Sequence, residues 1–350
     1  MARTLADLQR DPKAVPVDGE PTLALRAART RTFDTPEFAG ITFHEVEAKS
    51  ALNRVRGMPF GWSLNLYRGC GHACSYCFAR PTHAYLNLSP LEDFEREIVV
   101  KTNVVEVLRR ELAKPSWRGE HVALGTNTDP YQRCEGRYRL MPGVIEAFAQ
   151  SRTPFSILTK GTLVTRDIAS LRAASEQVPV AAALTIGMLD EDVWRSAEPG
   201  TPSPKARLEA VRALNDAGIP TGVMLAPIMP GLNDSAAQLA ALVDACAAAG
   251  AVHITPITLH LRPGVKEVFW PWLEAAYPEL VPRYRALYRG ATAPKAFREP
   301  LERFVADRRR AAWRQHGRPP TPPGWRGAAP AAESAAADEP VAVSEQLSLL

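Results

Sequence analysis

The segment Cys70-Gly-His-Ala-Cys74-Ser-Tyr-Cys77 places three thiols four and three positions apart. Three thiolates at this spacing can hold three irons of a four-iron cubane and leave the fourth iron without a protein ligand. Clusters that only carry electrons usually have four cysteines. An open iron can chelate a small molecule and pass an electron into it, chemistry that no side chain supplies. Two other readings use the same residues. Zinc accepts three Cys with His72 or His83 as the fourth ligand, although structural zinc sites usually bring two separated ligand pairs and no second C-x-x-C or H-x-x-x-H follows. A disulfide is disfavoured, because the chain has five Cys and its start does not read as a secretory leader.

The elements that must position this loop are legible in the pattern. Between about Trp62 and Leu259 short apolar runs alternate with amphipathic stretches, which predicts βα units around a parallel sheet. The predicted strands are 62–66, 121–125, 154–159, 179–186, 219–226 and 252–258. Ser203-Pro204 predicts a helix start, with Leu208, Val211 and Leu214 on its inner face and Gly218 at its end. The helix after Asn233-Asp234 carries Leu239, Leu242, Val243 and Cys246 on one face, which puts Cys246 in the core.

In parallel barrels the chemistry sits at the C-terminal strand ends. Gly125-Thr126-Asn127-Thr128-Asp129-Pro130-Tyr131 follows the second strand and reads either as an Asx turn or as a ligand-contacting loop. Thr159-Lys160-Gly161 follows the third; a lysine there is hard to bury without an anion. Leu184-Thr185-Ile186-Gly187 and Pro227-Ile228-Met229-Pro230-Gly231 follow the fourth and fifth. Arg80, His83 and Tyr85 are expected to face the same cavity, where Arg or His could meet phosphate or carboxylate. Arg195, Glu198 and Arg207 flank the fourth exit, with a helix-end ion pair as the structural reading.

Together these motifs resemble the radical SAM superfamily, which usually places an aromatic residue, here Tyr76, before the last Cys. From about Pro59 to Trp272 the chain is similar to the spore photoproduct lyase-like branch of uncharacterised radical SAM proteins. The residues that carry this are Cys77-Phe78-Ala79-Arg80-Pro81-Thr82-His83, the 125–131 loop with Gln132, and Glu198-Pro199-Gly200-Thr201-Pro202-Ser203-Pro204. The resemblance implies an α/β fold, a partial (β/α)6 TIM-type barrel. It also implies a [4Fe-4S] cluster on Cys70, Cys74 and Cys77, with S-adenosylmethionine cleaved reductively to a 5′-deoxyadenosyl radical. An electron donor such as ferredoxin or flavodoxin is implied as a partner.

By the same resemblance Tyr76, Thr128, Asp129, Lys160, Thr185, Arg207 and Ile228 are candidates for holding SAM. Lys160 and Thr185 would take its carboxylate and ribose, the 125–131 loop its amino group, and Ile228 its adenine. Spore photoproduct lyase returns a hydrogen atom from a Cys near the end of its second strand, where this chain has Thr126 and Asn127. Cys134 is therefore the candidate hydrogen-atom donor, with a passive loop thiol as the alternative.

With 350 residues and 46% hydrophobic content, the chain can bury one sizeable core with short extensions. Its expected organisation is an N-terminal arm over 1–55, a core barrel over 56–275, a helical extension over 276–318 and a disordered tail over 319–350. The longest nearly uncharged apolar stretch, Val178 to Leu189, is too short to span a bilayer, so a cytoplasmic enzyme without membrane contact is expected. The last 23 residues hold four acids and no Lys or Arg, leaving 42 basic against 34 acidic residues, a formal +8, in the rest. That excess permits an anionic substrate. Arg303, Arg308, Arg309, Arg310, Trp313 and Arg314 form a basic helix end, usable for phosphate or as a solvated face.

The terminal Gln346-Leu347-Ser348-Leu349-Leu350 resembles the peptide by which bacterial repair proteins attach to the DNA sliding clamp. On a Pro/Ala-rich tether its Leu side chains could fill an apolar groove while Gln346 fixes register. The expected function is a radical SAM enzyme acting on DNA, in lesion repair. The alternatives are the same chemistry on RNA, a peptide or a metabolite, and a non-enzymatic iron–sulfur or zinc module.

Overall fold

The apolar runs form parallel strands where the pattern places them. The structure is a computed structural model and describes residues 21–317 and 319. The first 20 residues of the expected arm, nearly all of the expected tail and the Gln346–Leu350 peptide lie outside the described residues. Chain order runs β1 (Arg29–Arg31), β2 (Thr42–Val46), β3 (Leu52–Arg54), β4 (Trp62–Leu64), β5 (Tyr67–Arg68) and β6 (Glu97–Lys101). It continues through β7 (Val122–Leu124), β8 (Phe155–Thr159), β9 (Val180–Thr185), β10 (Thr221–Ile228) and β11 (Ile254–Thr258).

The larger sheet has the order β11-β10-β9-β8-β7-β4-β3, with six strands parallel and β3 antiparallel at one edge. Its edges, β3 and β11, do not pair, so the sheet is the open, partial barrel of an α/β protein. Parallel neighbours require crossovers. Helices α1 (Val104–Leu112), α2 (Leu140–Gln150) and α3 (Ile168–Ser175) supply the first three. The pair α4 (Glu191–Ala197) and α5 (Pro204–Asp216) links β9 to β10, and α6 (Ala236–Ala248) links β10 to β11. Ser203 caps α5 by accepting from the Ala206 N–H, and Ser235 with Gln238 forms a capping box on α6. Cys246 is fully buried on the inner face of α6.

A smaller sheet, β1-β2-β6-β5, joins β5 and β6 of the first crossover to β1 and β2 from the segment before β3. The helical turn Asp93–Arg96 that leads into β6 holds the start of the cysteine loop, where the Cys70 N–H donates to Phe94 O at 2.9 Å.

Side chains alternate across a strand, and registered neighbours share a face. Ser63, Ala123, Ser156 and Ala181 stand in register on β4, β7, β8 and β9, followed one layer up by Leu158, Ala183 and Gly222. On β8 the residues of this face, Ser156 and Leu158, are only half-buried, whereas Phe155 and Ile157 opposite them are buried. Apart from Leu158, small side chains thus line one side of the sheet, while the other packs against the helices.

After α7 (Lys266–Ala276), the long α8 (Lys295–His316) packs on α6 and the β11 edge. Part of the basic helix end fastens it, and part pairs within the helix. Arg308 binds both Asp244 oxygens, Arg310 pairs with Asp307, and the Arg309 Nη1 donates to Ile254 O at 2.7 Å. An exposed strand edge leaves carbonyls without partners, and Arg309 satisfies one of them. Arg309→Met should therefore cost about 1.5–3 kcal/mol, the range for a hydrogen bond from a charged donor, and speed amide exchange in β11; urea unfolding and hydrogen exchange would measure both.

Candidate active site

The cysteine loop leaves the β4–β5 region and is clamped between two strand-exit loops. On one side Gln132, fully buried, accepts from the Gly71 N–H at 3.0 Å and donates to Gly69 O at 3.1 Å. On the other, the Gly200 N–H donates to His72 O and the Ser75 N–H to Ala197 O. Gly200 is required by contact, because a Cβ there would stand 2.1 Å from Gly71 O. Arg80 braces the loop from within, donating to Cys74 O, Leu91 O and Glu95.

Cys70 and Cys74 are buried and Cys77 is half-buried. Burial pushes all three thiols up, Cys74 to about 12, and Cys70 and Cys74 also feel the neighbouring thiols. Amides act the other way on two of them, from His72 on Cys70 and from Ala79 and Arg80 on Cys77. Desolvated thiols supplied with N–H groups fit a cationic group that takes them as thiolates. The donor set fits a cubane on Cys70, Cys74 and Cys77 better than zinc. His83 Nε2 lies 2.9 Å from Glu97 O and His72 Nδ1 lies 3.4 Å from Asp129. Among the described residues no three His, Cys, Asp or Glu side chains converge on one ion.

Asp129 joins three elements. Its Oδ1 accepts from the Tyr131 N–H at 2.8 Å, closing the Asx turn, and from Thr159 Oγ1 at 2.5 Å; its Oδ2 accepts from the Lys160 N–H at 2.7 Å. Thr128 is turned back to Tyr67 O at 3.1 Å. The Lys160 ammonium stands 5.6 Å over the Tyr76 ring, and no carboxylate is in ion-pair distance of it among the described residues. Burial pushes Lys160 down, but Cys74 and Glu198 outweigh it and hold the cation above the usual lysine range. A half-buried cation without a partner carboxylate is a ready anion site.

Beneath it lies a buried charge pair. The Tyr76 hydroxyl donates to Glu198, and Arg207 donates to Glu198, to Thr201 Oγ1, to Thr185 O at 2.8 Å and to Pro202 O at 3.0 Å. Burial pushes the Glu198 carboxyl up; Arg207, Lys160 and Tyr76 outweigh it and leave it below the usual range. Arg207 therefore braces Glu198 and the β9 exit, and its guanidinium is fully occupied by protein groups.

Several sequence expectations land elsewhere. Arg80 and His83 were expected in the cavity; both are buried, Arg80 on carbonyls and His83 on Glu97 O with its ring edge on Phe94. Thr185 is buried at the β9 exit, and Ile228 lies in the main core. The turn after Ile228 is shaped by Asn233, which binds Gly187 O, Pro227 O and the Met229 N–H. Cys134 is 1% exposed, inside the core, with Cys70 and Glu135 near its thiol. That burial places it away from open space where a substrate carbon could reach it. Gln132, Glu135 and Asn233 had no assigned role in the sequence reading, because their partners are tens of residues away or are backbone atoms. Glu135 binds Tyr67, Arg166 and the Leu140 and Met141 amides, fixing the loop behind Cys70.

A buried pair broken by removal of one partner typically costs about 3–5 kcal/mol. Arg207→Leu should destabilise by about that amount, and Glu198→Gln with Arg207→Leu together by less than the two single losses summed; denaturant unfolding of the three variants is the check.

The radical SAM superfamily family model matches residues 64–243. Uncharacterized proteins of Mycobacterium tuberculosis and Mycobacterium bovis are each 53% identical over 285 residues, covering 80% of this chain and 84% of theirs. Among solved structures, spore photoproduct lyase complexed with dinucleoside spore photoproduct superposes with TM-score 0.60 at 18% identity, over 85% of this chain and 87% of that one. A mutant of that enzyme with bound AdoMet and the same dinucleoside gives TM-score 0.59 at 17% identity over the same shares. Fold, cysteine loop and family match agree, and the chain belongs to the radical SAM superfamily, SAM-cleaving enzymes whose cofactors are a [4Fe-4S] cluster and S-adenosylmethionine.

Proposed function

We propose that this enzyme acts on DNA, taking a damaged or unpaired nucleotide into the hollow of its open barrel. When bound, the cluster and SAM supply reductive cleavage to a hydrogen-abstracting 5′-deoxyadenosyl radical, and the protein supplies position and exclusion of water. The Lys160 ammonium is the group for the methionyl carboxylate. Asp129 holds the Lys160 amide and the 125–131 loop as one unit, so the β7 and β8 exits keep a fixed spacing around a bound ligand. Tyr76 presents its ring to Lys160 while Glu198 fixes its hydroxyl.

The observation that carries the DNA reading is the inner face of the sheet. Ser63, Ala123, Ser156, Ala181, Ala183 and Gly222 put small side chains on that face, which we read as space for a bulky substrate beneath that ligand. An unpaired or damaged base is the easiest to extrude into such a space. The formal +8 of residues 1–327 favours a polyanion. The likeness in fold to a lyase solved with a dinucleoside lesion supports the same reading. The terminal Gln346-Leu347-Ser348-Leu349-Leu350 peptide would then tether the enzyme to the sliding clamp and raise its concentration on DNA.

Anaerobic reconstitution with iron and sulfide, dithionite reduction and assay for 5′-deoxyadenosine test the reading. Cleavage should require Cys74, shown by Cys74→Ala, and should rise with ultraviolet-damaged DNA; cleavage indifferent to DNA would direct the search to RNA, peptide or metabolite. Deleting residues 346–350 should abolish clamp binding in surface plasmon resonance and leave SAM cleavage unchanged; retained binding would refute the tether.

A further inference from the structure

One aromatic residue of the site region is out of place for a folding role. Phe78, next to the ligand Cys77, is 46% exposed, although a phenylalanine is normally among the more buried residues. Its partner is a cation: the Arg262 guanidinium lies over the ring at 5.5 Å from its centroid. Arg262 is on the segment after β11, and no carboxylate is in ion-pair distance of it among the described residues. Burial lowers its pKa more than the neighbouring Cys77 thiol and Tyr85 hydroxyl raise it, and the buried Arg68 near Tyr85 is shifted the same way.

Both halves are held rigidly. Arg80, two residues beyond Phe78, is locked by its carbonyl and Glu95 contacts. Gly264, two residues beyond Arg262, packs so closely on Pro81 that a Cβ there would stand 2.5 Å from the proline ring. The Leu261 N–H donates to Ala291 O at 2.7 Å, and Gly264 N–H donates to Glu267. An exposed ring and a guanidinium without a carboxylate partner are thus presented together beside a cluster ligand.

Resting on the DNA reading above, we propose that Phe78 and Arg262 form a nucleotide platform beside the cysteine loop. An unpaired base stacks on the open side of the Phe78 ring, and Arg262 contacts the adjoining phosphate. Every base offers a π-face, so the ring holds a strand without reading its sequence, and the guanidinium suits a phosphate oxygen pair. The platform anchors the strand next to Cys77, and the neighbouring nucleotide then faces the hollow.

The test is fluorescence anisotropy of a labelled short single-stranded oligonucleotide against the reconstituted full-length holoenzyme, with cluster absorbance verifying each variant. Phe78→Ala should weaken binding by about 5- to 150-fold, the range for losing one base–aromatic stack, and Phe78→Trp should retain it. Arg262→Gln, on a separate segment from the cluster loop, should weaken binding and lower the salt-dependence slope by about one phosphate contact. If wild type binds the oligonucleotide and both variants bind equally well, the platform is wrong while the DNA reading stands. If wild type binds no DNA, both fall together.

Discussion

The buried contact between Glu198 and Arg207 holds the site in one piece. Two charges removed from water are costly unless each is met by its partner and by further hydrogen bonds. Here the partners come from different segments: Tyr76 from the cysteine loop, Thr185 from the end of β9, Thr201 and Pro202 from the loop before α5. None of these can move without leaving a buried charge short of a partner. The cysteine loop, which has little regular structure of its own, thereby acquires a fixed place above the strand ends.

Asp129 performs the matching task on the opposite side. One carboxylate holds its own turn, Thr159 and the Lys160 amide, and faces His72 in the cysteine loop. Burial pushes the His72 ring down to about 4, so at neutral pH it faces Asp129 as an uncharged imidazole. With both acids engaged by protein groups, Lys160 is left as the cation of the strand-end layer without a carboxylate. An anionic ligand is then favoured there on electrostatic grounds.

Much of this was legible in the chain. The six parallel strands were readable as short apolar runs separated by amphipathic stretches, and each observed strand falls within or beside its predicted range. The Ser203-Pro204 start and the Cys246 face were readable because capping and helical periodicity are local. Arg80 and His83 were not placed correctly by proximity to the cysteines. Both sit in a 3₁₀ turn that rotates them inward, where carbonyls of 74, 91 and 97 need donors. Such demand is a property of the packed backbone and leaves no mark in the sequence.

The sequence by itself determined the thiol spacing, the βα alternation and the residues at each strand end, because these depend on covalent order and on periods of two and 3.6 residues. The tertiary structure alone decided which strand-end residues serve as braces and which stay open. Arg207 and Glu198 became a buried pair, Cys134 went into the core, and Lys160, Phe78 and Arg262 were left facing outward from the packed interior or half-exposed. The physical reason is desolvation: a polar or charged group is claimed by whatever partner the fold buries beside it, and that partner is set by contacts between segments far apart in the chain.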